Sequence, residues 1–337
     1  MVNPNHRRTL LILLLAALFG FALTACGTGQ PPVSQPPVSQ PPTSEPPLED
    51  ESPPQDPSPE DPAPEDPAPE DPAPEDPDVR GPAEGTMRVL YLYGSIPPAL
   101  HDMKLSDTGR VGMSRFAAAL EEVGFQPEER LDANVTLNAD TLRAYRVVIL
   151  GSNNRRFNGA EAGALAEWVL AGGGVVAWSD SAFGGDYREV GVGNPVGKTS
   201  NNDLTVQFGL EFLRDNGAGI FTIREYLEDH YLNAYDRNGG VVFRGEGVSL
   251  IRASSPARIL ARLQTGGTRG DVRLHPDDGA LTAADGALVV AEVGEGRVVG
   301  TFDRNGFWNG GPGTDISEVD NKEHAQRLLL WAAGLGD

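Results

Sequence analysis

Residues 145–180 decide the fold of this chain: YRVVILGSNNRRFNGAEAGALAEWVLAGGGVVAWSD. The unbroken apolar run at 147–150 predicts a strand covered on both faces, because helices on either side of a parallel sheet leave neither face to water. A second apolar run, at 175–178, predicts the neighbouring strand. The two runs and the segment between them therefore predict a strand-helix-strand unit with the usual right-handed crossover.

The helix of this unit is marked at both ends. Asn158 can cap its first amides, and Glu161 lies three residues later, where its carboxylate can reach back to the cap. The glycines at 172–174 predict the end of the helix. One apolar stripe predicts its buried face: Leu165, Trp168 and Val169.

Strands and helices continue to alternate outside this unit. Strands are predicted at 87–93, 219–223, 241–243 and 257–264, and a late hairpin at 288–293 and 297–302. Helices are predicted at 116–123, 137–145 and 203–212, and a long glycine-rich loop at 181–202. This order predicts an α/β domain, a three-layer sandwich whose flavodoxin-like sheet is mostly parallel and carries a late β-hairpin.

The closing helix follows Asp320. We predict that Asp320 caps this helix and that Glu323, three residues later, completes a capping box. Its buried stripe is predicted to contain four residues: Ala325, Leu328, Ala332 and Leu335.

The first 26 residues have the order of parts of a secretory signal. Arg7 and Arg8 precede an apolar run at 10–22, which is shorter than the roughly 20 residues that span a bilayer. The next four residues, LTAC at 23–26, resemble the lipobox of bacterial lipoproteins, in which the cysteine is lipidated and becomes the first residue of the mature chain. We therefore predict a lipoprotein signal peptide at 1–26, export, and a membrane anchor on Cys26. An ordinary signal peptide followed by an incidental cysteine is the alternative.

Residues 27–86 predict a disordered stalk rich in Pro, Glu and Asp. The repeats QPPVS and EDPAP each advance by five residues, and proline favours extended polyproline II over a packed core. At roughly 3.1 Å per residue, such a segment reaches on the order of 150 Å. Between residues 45 and 78 it has 14 acidic and no basic side chains, in a chain whose net charge is −21. The acidity therefore belongs mostly to the stalk. The sequence has no cluster of basic residues, so nucleic-acid binding is not expected.

The domain at 87–337 resembles the class I glutamine amidotransferase-like superfamily. Three motifs carry the resemblance: VVILGSN at 147–153, GGGVVAWSD at 172–180 and EVGEGRVVGTFDRN at 292–305. Within the superfamily, the chain is similar to members of the trehalose-utilisation type and to gliding-associated domains, which are not amidotransferases. Catalytic members have a cysteine at a tight turn after a central strand, with a histidine and a glutamate. The matching turn is WSDS at 178–181, and Cys26 is the only cysteine, so the resemblance implies the fold without glutamine hydrolysis.

In open parallel sheets, ligands bind beyond the carboxyl ends of the strands. Short polar side chains follow four of the predicted strands, and we expect them to meet at one edge and to form a ligand-binding cleft. The predicted ligand-binding residues are Ser95, Asn153, Arg155, Asp180, Asp303, Asn305 and Trp308. The alternative is that such residues only cap helices and turns.

A hydrolase could use the same cleft. Ser179 or Ser181 would be the nucleophile, with a histidine as base: His230, His275 or His324. No GxSxG motif supports this alternative. A calcium site is a further alternative for the same cleft, because calcium prefers oxygen ligands. The candidate ligands are Asp303, Asn305, Asn309, Asp315 and Asp320. Carbohydrate or another small ligand would instead stack on aromatic rings, those of Trp178, Tyr187, Phe307 and Trp308.

The sequence thus predicts a lipid-anchored protein of the bacterial cell envelope. Its domain is expected to act as a binding or interaction module for a small molecule, a carbohydrate or another envelope protein. The alternative is a serine- or metal-dependent hydrolase. We predict no resident cofactor and no metal ion, and partners that include the membrane but no nucleic acid.

Overall fold

A computed structural model describes residues 81–94, 103–151, 153, 155–178, 200–213, 219–234, 240–263, 279–311 and 313–336. The predicted signal peptide, Cys26 and the stalk as far as residue 80 lie outside these residues. The predicted loop as far as residue 199 also lies outside them. The same holds for several candidate site residues: Ser95, Ser179, Asp180, Ser181, Tyr187 and His275.

The main sheet contains seven strands: β1 (Arg88–Tyr93), β2 (Gln126–Leu131), β3 (Val147–Leu150), β4 (Gly174–Trp178), β9 (Arg258–Ala261), β11 (Leu288–Val293) and β12 (Gly296–Thr301). They lie in the order β2-β1-β3-β4-β12-β11-β9. The first five in this order are parallel, whereas β11 and β9 run antiparallel to their neighbours. The prediction of a mostly parallel α/β sheet with a late hairpin is confirmed.

Helices cover both faces of this sheet: α1 (Ser114–Glu122), α2 (Ala139–Arg143), α3 (Gly159–Leu170), α4 (Asn202–Thr205) and α5 (Asn321–Ala332). α1 and α5 pack on one face with Tyr91 and Val176, and the other three pack on the opposite face with Leu90 and Val175. Successive residues of a strand thus enter different layers, which produces the three-layer sandwich. No helix among the described residues is both long enough and apolar enough to cross a bilayer.

The strand-helix-strand unit at 145–180 folds as its sequence predicts. Asn158 Oδ1 accepts hydrogen bonds from the amides of Ala160 and Glu161 at 2.9 and 3.0 Å, and Glu161 Oε2 accepts one from the Asn158 amide at 3.2 Å. The capping box is therefore complete. After α3, Gly172 adopts a φ of 101°, a left-handed conformation that glycine favours. Strands β3 and β4 then pair in parallel.

Two smaller sheets flank the main one. Their strands are β5 (Leu210–Phe212), β6 (Ile220–Ile223), β7 (Phe243–Glu246), β8 (Ile251–Ala253) and β10 (Asp285–Gly286), paired in the orders β10-β8-β5 and β6-β7. The helix predicted at 203–212 is only partly correct. Its helical turns end at Gly209, where a φ of 82° turns the backbone out of the helix and into β5.

The closing helix α5 starts where predicted, but its first turn is built differently. Asp320 makes no side-chain cap, and its Oδ2 instead accepts from the Val242 amide at 2.9 Å. Glu323 bonds to Arg327 one turn later, at 2.7 Å. The predicted capping box is therefore wrong, because both carboxylates have other partners. Leu335, predicted as buried, is 54% exposed because it lies beyond the end of the helix.

Candidate functional site

The carboxyl ends of the five parallel strands share one edge of the main sheet, which we call the exit edge. β1, β3, β4 and β12 leave the sheet there after Tyr93, Leu150, Trp178 and Thr301. In the parallel register Trp178 lies beside Thr301, and Leu150 lies beside Ala177. The residues that follow these strands are therefore neighbours.

Asn153 follows β3 at the exit edge and is fully buried. Its Nδ2 donates to Asn201 Oδ1 at 2.7 Å, and its backbone oxygen accepts from Ser200 Oγ at 2.8 Å. We call Asn153, Ser200 and Asn201 the amide clamp, because they tie the ends of two strands together. Asn201 Nδ2 donates to three backbone oxygens at 2.9 to 3.2 Å, those of Leu150, Gly151 and Trp178.

Asp303 and Asn305 follow β12 and hold strand β7 at the exit edge. Asp303 Oδ2 accepts from the Glu246 amide at 2.7 Å, and Asn305 Nδ2 donates to the Glu246 backbone oxygen at 2.8 Å. Asp303 Oδ1 accepts from the amide of Arg304 at 2.7 Å. Gly245 permits this close approach, since a Cβ atom there would lie 2.7 Å from the Asp303 Cβ. Both side chains therefore bond to the backbone of the chain itself.

Arg155 lies beside the start of α3. Its guanidinium makes two hydrogen bonds to Glu161, at 2.5 and 2.9 Å, and donates to the backbone oxygens of Asp132 and Val135. It also lies 3.9 Å from the centre of the Phe157 ring. Burial alone would raise the pKa of Glu161, but the hydrogen bonds from Arg155 and from backbone amides lower it. Arg155 therefore bridges α3 and the loop that follows β2.

The aromatic residues of the exit edge are packed into the core. Trp178 is fully buried, and Phe307 and Trp308 are 2% and 7% exposed. Ring centres lie 5.7 Å apart for Trp178 and Phe116, and 5.2 Å apart for Trp178 and Phe307. The prediction that these rings offer stacking surfaces to a ligand is wrong for Trp178, Phe307 and Trp308, because they pack in the layer formed by α1 and α5.

His324 lies on α5 within the same layer. Its ring stacks on Phe243, with the ring centres 4.0 Å apart, and its Nε2 lies 3.3 Å from Thr301 Oγ1. Complete burial lowers the pKa of His324 to about 3, so the imidazole is neutral at physiological pH. His324 is therefore an enclosed, uncharged core residue.

His230 lies at the edge opposite to the exit edge. Its ring is 5.2 Å from that of Trp331, near the end of α5, whereas Asn321 at the start of α5 lies beside the turn after β12. The stretch of helix between Asn321 and Trp331 is about 15 Å long at 1.5 Å per residue. Burial lowers the pKa of His230. This placement separates His230 from Trp178, the last residue of β4.

The residues that were predicted as calcium ligands each make hydrogen bonds to backbone groups of this chain. Asn309 Oδ1 accepts from the Arg115 amide at 2.8 Å, and its Nδ2 donates to the Asp107 backbone oxygen at 2.8 Å. Asp315 and Asp320 likewise accept from backbone amides. Within the described ranges, no group of three His, Cys, Asp or Glu side chains could hold a metal ion.

Four buried atoms at or beside the exit edge have no hydrogen-bond partner in the described part of the chain: Asn153 Oδ1, Trp178 Nε1, Asn305 Oδ1 and His324 Nδ1. A buried polar atom without a partner costs about 1–3 kcal/mol, so each such atom needs an explanation. Trp168 Nε1 on α3 is an atom of the same kind, but its ring packs on Gly173 at the opposite edge.

Two parts of this edge were not predicted from the sequence: the clamp residues Ser200 and Asn201, and the contact of Asn309 with α1. Asn201 lies 48 positions from its partner Asn153, and no periodic pattern joins residues so far apart. The only local signal was the polar run Ser200-Asn201-Asn202 at the end of the predicted loop, directly before a helix.

No protein-family model matches the sequence, and no curated protein matches it. Solved structures do resemble it. The mmIFT52 N-terminal domain has a TM-score of 0.52 at 14% identity, over 74% of this chain and 98% of that domain. The cytoplasmic protein STM1381 from Salmonella typhimurium LT2 has a TM-score of 0.47 at 13% identity, over 73% and 99% of the two chains. A ThuA-like protein from Parabacteroides merdae has a TM-score of 0.41 at 12% identity, over 74% and 90%. At 14% identity, the first of these shows a shared fold alone.

Proposed function

We propose that this chain is a lipid-anchored protein of the cell envelope whose α/β domain binds a ligand or partner at the exit edge and catalyses no reaction. The cysteine that ends the secretory signal supports the anchor. The proline-rich acidic segment supports a domain held at a distance from the membrane. The ligand is a small molecule, a carbohydrate or another envelope protein.

One observation supports the non-catalytic part of the proposal: the polar side chains of the exit edge make hydrogen bonds to other groups of the same chain. The amide clamp and Asp303 bond to backbone groups. The two described histidines lie in the core and at the opposite edge. Because no cysteine follows Cys26, the thiol nucleophile of amidotransferases is absent. The described hydroxyl and imidazole that approach each other here, those of Thr301 and His324, are both buried in the core.

The start of the described chain lies at the edge of the sheet opposite to the exit edge. The Ala83 amide donates to the backbone oxygen of Arg143 at 2.9 Å, and Gly81 lies against the backbone of Ala171. Arg143 and Ala171 precede β3 and β4, so these contacts lie at the amino ends of the parallel strands. The described end of the predicted stalk, from Gly81 to Thr86, therefore joins the domain at the edge opposite to the exit edge.

Binding is tested with the full chain carrying Cys26→Ser, on a glycan array and in pull-downs from envelope extracts. We expect the chain to capture one class of ligand. A variant that also carries Asn153→Ala and Asn305→Ala should no longer capture it. The matched control is Asn233→Ala, which removes a buried asparagine beside His230 at the opposite edge. No capture in either assay, or equal capture by both sets of variants, would contradict the proposal.

The hydrolase alternative is tested with a fluorophosphonate probe, which labels activated serines. We expect no labelling of the full chain. Labelling that disappears in Ser179→Ala or Ser181→Ala would overturn the non-catalytic proposal and establish a serine hydrolase.

A further inference from the structure

We propose that a cleft beside strand β9 binds a small organic cation, in which an amine or guanidinium group is joined to an apolar group. The described residues leave a cleft of about 620 Å³ there, within the range of ligand sites, roughly 300–1,000 Å³. None of its lining residues follows a parallel strand, so this site is not the one proposed at the exit edge. Six of them carry the argument: Tyr226, Leu227, Glu228, Asp229, Asn233 and Gly240.

The cleft is open to solvent. Leu227 is 54% exposed, and the side chains of Glu228, Asp229 and Ala234 are exposed as well. A ligand therefore reaches these groups without any opening of the core.

The loop that forms the cleft is held in place by its own hydrogen bonds. Asn233 is 8% exposed; its Nδ2 donates to the Glu228 backbone oxygen at 2.6 Å, and its Oδ1 accepts from the His230 amide at 3.0 Å. The Leu227 amide donates to the Leu260 backbone oxygen at 2.8 Å, which ties the loop to β9. Binding would therefore cost little ordering of this loop.

The charge of the cleft is negative. The Arg258 guanidinium lies 2.8 Å from a Glu228 carboxylate oxygen and 3.0 Å from one of Glu292, so one cation is shared by two carboxylates. Asp229 is exposed and has no partner among the described residues. A cleft lined by charge of one sign attracts ligands of the opposite sign.

The carboxylates of this cleft favour an organic cation over a metal ion. In the part of the chain that the structure describes, no three His, Cys, Asp or Glu side chains are grouped so that they could hold a metal. The adjoining walls are instead apolar, the Tyr226 ring and the exposed Leu227 side chain.

The Tyr226 ring is fixed and uncovered on the side of Gly240. Its hydroxyl donates to the Val241 backbone oxygen. A Cβ atom at Gly240 would lie 3.9 Å from Tyr226 Cε2, and glycine leaves that space empty. An aromatic ring attracts a cation over its face, so the ring and the carboxylates favour the same kind of ligand.

Two variants and a matched control test the assignment. Asp229→Asn removes the unpaired charge and keeps the size of the side chain. Ala234→Phe places a ring in the cleft and leaves its charge unchanged. The control is Asp140→Asn, which removes an equally exposed carboxylate on α2, outside the cleft. Since all three side chains are exposed, we expect each variant to fold.

The probes are three small molecules of similar shape that differ in charge at neutral pH: cationic benzylamine, neutral benzyl alcohol and anionic benzoate. Each is added at millimolar concentration to the full chain carrying Cys26→Ser. The unfolding temperature is the readout, because it reports binding to the folded domain and not counterions along the acidic stalk.

We expect only benzylamine to raise the unfolding temperature, by about 2–4 °C. Asp229→Asn and Ala234→Phe should each abolish this rise, and Asp140→Asn should keep it. An equal rise with benzyl alcohol or benzoate, an unchanged rise in either cleft variant, or no rise with benzylamine would overturn the inference. The test of the exit edge uses Asn153 and Asn305, which do not line this cleft, so the two proposals fail independently.

Discussion

Asn201 shows how one side chain can hold two strand ends. Its amide donates to three backbone oxygens and accepts from Asn153 Nδ2, all in the core. Asn201→Ala would leave these groups buried and without their partner. We expect the free energy of unfolding to decrease by about 2–4 kcal/mol, measured by urea denaturation at neutral pH.

Asn138→Ala is the comparison for this variant. Asn138 is exposed and caps α2, with its Oδ1 accepting from the Thr141 amide at 2.9 Å. Its loss should cost about 1 kcal/mol. Equal losses in the two variants would mean that Asn201 contributes no more than an ordinary helix cap.

Glu161→Gln tests the pairing with Arg155. Glu161 is 3% exposed, and its pKa lies below the usual value of 4.5 in the folded protein. A lowered pKa stabilises the fold at pH values above 4.5, and this stabilisation is lost as the pH falls from there through the folded-state value. We expect the variant to lose about 3 kcal/mol at neutral pH and to approach the wild type in acid.

Glu167→Gln is the control on the same helix, because Glu167 is exposed. A surface change of this kind should alter the free energy of unfolding by less than about 0.5 kcal/mol. Chemical denaturation of the wild type and both variants across a pH series gives the comparison. A pH-independent difference between wild type and Glu161→Gln would show that the carboxylate charge is not involved.

At the scale of elements, α1 is capped from a distant part of the chain. Its own N-cap residue, Met113, makes no side-chain capping bond, and Asn309 supplies the acceptor for the Arg115 amide. Asn309 Nδ2 also bonds to the loop before α1. We expect Asn309→Ala to cost about 2–3 kcal/mol and to speed hydrogen exchange in the first turn of α1.

Asn309→Asp separates the two roles of this side chain. The carboxylate keeps an acceptor for α1 but cannot donate to the loop. We expect a loss smaller than that of Asn309→Ala. If Asn309→Asp lowers the free energy of unfolding as much as Asn309→Ala does, the bonds to the loop, and not the cap, stabilise this end of the helix.

The elements that could be predicted from the sequence are those with a strong local pattern. β3, α3 and β4 combine apolar runs with a capping box, and all three formed where expected. β2 was missed because its sequence, QPEERL, has no apolar alternation; charges and proline are typical of an edge strand that must not pair further. β5, β8 and β10 are two or three residues long, too short to produce a periodic signal.

At the scale of the whole molecule, the position of the exit edge follows from strand order, so the sequence could indicate where to look. It could not indicate which side chains are used inside the fold. Arg155 and Asp303 were predicted to bind a ligand, and their described bonds, which include those to Glu161 and Glu246, are to groups of the same chain. Such partners are set by tertiary packing, which a local pattern does not contain.

Cys26→Ser tests the anchor of the whole chain. Acyl chains contribute about 0.8 kcal/mol for each buried CH₂ group, and the serine variant has no thiol to carry them. We expect the protein to move from the membrane pellet to the soluble fraction, as measured by ultracentrifugation and immunoblotting. Pelleting of the variant to the same extent as the wild type would contradict the lipoprotein proposal.

The described chain begins at the amino ends of the parallel strands, whereas the exit edge lies at their carboxyl ends. A force applied between Gly81, where the described chain begins, and the exit edge would therefore run along the strands. β1 receives this tension first, and it is bonded on both sides, to β2 and to β3. Its backbone hydrogen bonds are then loaded in shear and must break together, so the domain should resist drag on its partner better than a domain that is unzipped from one end.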